Sequence, residues 1–123
     1  MKLFTHNILM CNNKVCNINN YPLRIVPSKV DVIPTEYNKE LTKKFINKVD
    51  FNGLIQAIKD LNISNIKYDY KCLNQNDFEN EEVLKELHNI LFETILIDGS
   101  LQCSNCGIKY PVNNGIADMV LND

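Results

Sequence analysis

The sequence predicts an α+β protein: a small antiparallel β module built from both chain ends, with a helical segment inserted between them. Three observations carry that prediction. Two close pairs of cysteines lie far apart in the chain, Cys11 with Cys16 and Cys103 with Cys106. Between them, apolar residues recur every three to four positions, which is the helical period. Outside that stretch, apolar residues alternate in short runs bounded by Pro22, Pro27 and Pro34 on one side and by Asn113-Asn114-Gly115 on the other, as strands and turns do.

The first strand falls in residues 21–34, where Leu23, Ile25, Val30 and Val32 alternate and Pro27 marks a bend. Around Thr35-Glu36 the period changes. Tyr37, Leu41, Phe45 and Val49 then recur every four residues, with Ile46 beside them, as one helical face, and lysines occupy much of the rest. Asp50 reads as the N-cap of a second helix carrying Phe51, Leu54, Ile55, Ile58 and Leu61. Residues 62–79 lack a clear period and read as a loop with some extended structure. Asn80-Glu81-Glu82 opens a third helix: a capping residue, acids in the first turn, then Val83, Leu84, Leu87, Ile90 and Leu91. His88 is expected on its polar edge, at the surface. Residues 93–100 follow as a strand entering a tight Asp98-Gly99 turn; residues 109–112 form another, and 116–121 come after the Asn-Asn-Gly turn. The boundaries predicted are 1–35 with 94–123 for the β module and 36–93 for the insertion.

The chemistry rests on the cysteines. C-x4-C and C-x2-C each bring two thiols to one tight turn, and two facing turns supply what a tetrahedral Zn²⁺ needs. Gly107, just after Cys106, suits a positive-φ position in such a knuckle. Cys11, Cys16, Cys103 and Cys106 are therefore the expected ligands, and the β module is expected to be zinc-ribbon-like. Four thiolates leave the metal no open position, so its role would be structural. Five cysteines, an odd count, argue against a disulfide framework, and Cys72 reads as a bystander. His6 is a substitute ligand should one thiol go unused. A redox dithiol at Cys103 and Cys106 is the alternative, but it wants a helix to begin at once, whereas Gly107, Tyr110 and Pro111 follow.

Thirteen basic against fifteen acidic side chains give a formal charge of −2, which argues against a protein that lives on phosphate backbones. No apolar run approaches the ~18–20 residues that span a bilayer, and the opening Met-Lys-Leu-Phe-Thr-His-Asn does not read as a secretory signal. A soluble protein of a reducing compartment is expected, without a membrane partner. Four glycines form no phosphate-cradling loop, and two histidines offer little acid–base chemistry near neutral pH. A non-enzyme is the expectation. The apolar end, with Ile116, Ala117, Met119, Val120 and Leu121, either closes its own sheet or offers an edge to another chain.

Residues 1–7, Tyr21-Pro22-Leu23, Gly99-Ser100-Leu101-Gln102-Cys103 through Tyr110-Pro111, and Gly115-Ile116-Ala117-Asp118-Met119 resemble, nearly end to end, the eukaryotic multifunctional methyltransferase subunit family. Ala117 stands where that family commonly has proline. The resemblance implies a non-catalytic zinc-binding subunit that activates and stabilises several class I methyltransferases, one at a time as heterodimers. S-adenosylmethionine would be held only by the partner. tRNA, rRNA and the translation release factor would be met indirectly, in cytoplasm and nucleus. It implies docking by strand addition with burial of an apolar patch, and Cys11, Cys16, Cys103 and Cys106 fall where zinc-binding members have ligands. Leu3, Phe4, Leu9 and Phe45 join the 116–121 segment as docking candidates. The rival reading is a free-standing zinc ribbon that binds RNA directly.

Overall fold

In the computed structural model, which describes residues 1–13, 16 and 20–119, strands from distant parts of the chain form one antiparallel sheet. β1 (Arg24–Val32), β2 (Thr94–Gln102), β3 (Lys109–Asn113) and β4 (Ile116–Ala117) lie in the order β1-β2-β3-β4. β1 and β2 pair from Arg24 opposite Gln102 to Val32 opposite Thr94, with register shifts between Pro27 and Val30 where the sequence places a bend.

Asp98-Gly99 is not a turn. It lies inside β2, opposite the irregular part of β1. Gly99 has φ +154°, and a Cβ there would stand 2.4 Å from the Val26 carbonyl oxygen. The glycine serves a close approach of two backbones, which local turn chemistry cannot reveal. The Asn-Asn-Gly turn is as expected: Asn114 and Gly115 have φ of 51° and 78°, the left-handed pair that joins a tight hairpin.

Two of the four α-helices, α3 and α4, begin at their predicted caps, and α2 has a cap of the same kind. Asn38 accepts from Leu41 N at the start of α2 (Lys39–Ile46), Asp50 from Gly53 N at α3 (Phe51–Asp60), and Asn80 from Glu82 N at α4 (Glu81–His88). A π-helical turn, Asn89–Glu93, carries α4 into β2. The 62–79 connection holds a 3₁₀ helix, Gln75–Glu79, and no strand. α1 (Leu3–Ile8) was not foreseen: six residues are too few to display a period, although Leu3, His6 and Asn7 all face inward.

The apolar face of α2 departs from expectation. Thr42 and Ile46 point into the core, Leu41 is 50% exposed and Phe45 is half-buried. Thr42 can be buried because its hydroxyl donates back to the Asn38 carbonyl at 2.7 Å. His88 is also corrected: it is buried, with Nε2 3.0 Å from Thr35 Oγ1, and it packs beside Tyr37 and Phe92.

Sheet and helices share one core, in which Leu23, Leu54, Leu84, Leu87, Leu96 and Leu101 are fully buried. Asp60 ties α3 to β1. Its carboxylate, almost wholly buried, accepts from Ile25 N at 2.9 Å and Gln56 Nε2 at 2.8 Å and pairs with Arg24. Asn7 joins α1 to the start of α3 by bonding both the carbonyl and the N–H of Asp50.

Candidate metal centre and docking edge

Cys11 and Cys16 sit in the connection between α1 and β1, and Cys103 and Cys106 in the turn between β2 and β3. Local bonds shape both loops. Cys11 N donates to Asn20 O, Cys16 N to Asn13 O, and Gly107 N to Cys103 O, with Gly107 at φ +79°. The four Sγ atoms lie within 4.8 Å of one another, and Cys11–Cys106 and Cys16–Cys103 are each 3.6 Å apart. Zinc with bonds of about 2.3 Å in a tetrahedron sets its sulfurs about 3.8 Å apart, so these residues fit a metal ion. The turn after Cys103 leads into β3 and not into a helix, so the dithiol lacks the helix N-terminus that lowers a redox thiol.

His6 does not join the cluster. It is buried and its Nε2 lies 2.7 Å from the Leu23 carbonyl, to which it donates. Cys72 is exposed and its thiol donates to Asp69 Oδ2 at 3.5 Å.

Polar side chains that the spacing argument overlooked surround the sulfurs. Tyr110 Oη is 3.2 Å from Cys11 Sγ, and Asn105 Nδ2 donates to Cys16 Sγ at 3.2 Å. The Asn105 amide favours the Cys16 thiolate, but burial and the neighbouring thiols outweigh it and push that thiol up to about 11. Burial also opposes charge on Cys103, yet the backbone N–H groups of Cys106 and Asn105, with the Cys16 and Cys106 side chains, draw it down to about 7. The only sequence trace of Tyr110 is its place on the inward face of β3; nothing local places it beside Cys11.

The docking candidates divide. Leu9, Ala117 and Met119 line an open groove of about 690 Å³ together with Met1, Ile95 and Ile97. Ile116, at the free edge of the sheet, is 73% exposed and borders the same groove. Phe4 and Phe45 lie in an aromatic cluster with Phe92, with ring centroids 4.9–5.3 Å apart. Leu3 leaves the set, because its side chain is fully buried in the core. Val120 and Leu121 lie outside the described residues.

Fold and site define a small α+β protein in which four thiols from both chain ends sit beside an open sheet edge. The chain belongs to the Trm112p-like family, whose model matches residues 2–115. It is 33% identical to a multifunctional methyltransferase subunit TRM112-like protein of Mus musculus, covering 100% of this chain and 96% of that one. With multifunctional methyltransferase subunit trm112 of Schizosaccharomyces pombe the identity is 34%, covering 100% and 98%. Among solved structures, the E. cuniculi Mtq2–Trm112 complex, responsible for methylation of the eRF1 termination factor, contains a chain of like fold. Its TM-score is 0.56 at 22% identity, with 98% of this chain and 95% of that chain covered.

Proposed function

We propose that the chain is a non-catalytic subunit that activates and stabilises class I, S-adenosylmethionine-dependent methyltransferases, binding one enzyme at a time as a heterodimer. The observation that carries this reading is the β4 edge, which pairs with no further strand among the described residues, beside an apolar groove. A partner strand added to β4 would take main-chain hydrogen bonds from it, and its alternate apolar side chains would enter the groove over Leu9, Ala117 and Met119. Phe4 and Phe45 extend the apolar surface. Capping an otherwise wet hydrophobic patch on the enzyme stabilises its fold by simple linkage.

The cofactor and the methyl-accepting site belong to the partner. Both histidines here face inward, on Leu23 and Thr35, and so do not present an acid or base to a substrate. Cys11, Cys16, Cys103 and Cys106 would hold one structural Zn²⁺, which joins the chain ends and fixes the 1–35 and 94–123 module around the 36–93 insertion. The similar complex that methylates the eRF1 termination factor supports a partner acting on the release factor, and we extend the reading to partners acting on tRNA and rRNA, in cytoplasm and nucleus.

Recovering the tagged chain from its own lysate tests the reading. The wild type should carry one zinc per chain and bring one or more methyltransferases in near-equal amount. Ile116→Asp, which puts a charge on the edge without touching the core, should lose them. Recovery of the wild type alone, or with RNA that salt removes, would overturn the proposal.

A further inference from the structure

Asn12 directly follows the first cysteine of the cluster, and its side-chain amide is engaged at both ends. Oδ1 accepts from Tyr110 Oη at 2.9 Å, and the Asn12 backbone N–H donates to the same hydroxyl oxygen at 3.3 Å. That hydroxyl is the one lying 3.2 Å from Cys11 Sγ. At its other end, Asn12 Nδ2 donates to the Met119 carbonyl at 2.8 Å. Met119 lines the groove beside β4. A single exposed amide thus spans from the thiol cluster to the segment that borders the free sheet edge.

We propose that Asn12 is a positioning residue for the docking edge, transmitting the placement of Cys11 to the 116–119 segment so that metal in the cluster sets the surface a partner meets. The inference rests on the docking role given to that edge. Its physical basis is short. β4 has only two residues, paired to Val112 and Asn113, and beyond them Asp118 N donates to Pro111 O at 2.8 Å. So brief a strand is marginal alone, and the Asn12 amide adds a hydrogen bond to the segment that continues it. A metal that draws four sulfurs together immobilises Cys11, and Asn12 moves with it. By linkage, a partner that orders the edge tightens the metal to the same degree.

The test uses the full chain without a partner, loaded with zinc, and reads exchange of the Asp118 amide beside zinc affinity by chelator competition. Asn12→Asp keeps the acceptor for Tyr110 but removes the donor to Met119. The Asp118 amide should exchange about two- to tenfold faster, the range expected for one lost hydrogen bond, and by the same linkage zinc should bind more weakly. Removing zinc from the wild type should accelerate the same amide, and removing it from Asn12→Asp should accelerate that amide less. Asn12→Ala, which severs both ends, should show the same acceleration and weaker zinc as well. Equal exchange in loaded wild type and both variants would overturn the proposal, and so would equal acceleration by zinc removal with and without the amide. Because no partner is present, a failure of enzyme docking would leave this result standing and would count against the proposed function alone.

Discussion

His6 shows how a single side chain ties α1 to the sheet at a cost that depends on pH. Its Nε2–H is committed to the Leu23 carbonyl, which leaves Nδ1 buried without a partner. Burial is the main cause that lowers its pKa from 6.5; the bond to Leu23 and the charge of Asp60 oppose the shift without cancelling it. The folded chain therefore keeps the ring neutral where the unfolded chain would already bind a proton. Stability from this group is complete above about pH 6.5 and is lost as the pH falls toward the depressed folded value. His6→Gln retains an N–H for Leu23 but cannot titrate. Urea midpoints of that variant should fall less steeply than those of the wild type between pH 7 and 5; parallel slopes would show that His6 does not titrate differently in the two states.

At the scale of elements, the join between α3 and β1 depends on Asp60, whose carboxylate gathers Ile25 N–H, Gln56 and Arg24. Asp60→Ala strands a buried backbone N–H and should lower stability by about 2 kcal/mol, read as a shifted urea midpoint with unchanged slope. A midpoint equal to that of the wild type would mean that water serves Ile25 as well as the carboxylate does. The elements legible in the sequence were those with local causes. Asp50 and Asn80 announced α3 and α4 because a cap and an apolar period act within a few residues. The Asn-Asn-Gly turn was legible for the same reason. At Gly99 the local Asp-Gly turn signal misleads, because the actual constraint is the Val26 carbonyl on another strand. The buried face of α2 lies away from Leu41, since Thr42 hides its hydroxyl in the helix and so behaves as a core residue. At the site, spacing alone brought the four cysteines together. It could not supply Tyr110 or Asn12, whose hydrogen bond joins positions 98 apart.

Across the whole molecule, the thiol cluster closes the chain on itself: Cys11 meets Cys106 over 95 residues and Cys16 meets Cys103 over 87. A metal there would cross-link the β module at the end where β2 turns into β3, and the docking edge lies on the same hairpin system. The leucine core holds sheet and helices together independently of that cross-link. An apolar edge and groove at Ile116, Ala117 and Met119 are exposed, as a subunit completed by a partner would leave them. The most direct measurement is methyl transfer by an enzyme recovered with this chain, assayed with and without the chain at equal molarity. The account predicts no transfer by the chain alone, little soluble activity from the enzyme alone, and full activity from the pair at one to one. An enzyme equally soluble and active without the chain, or transfer catalysed by the chain itself, would contradict it.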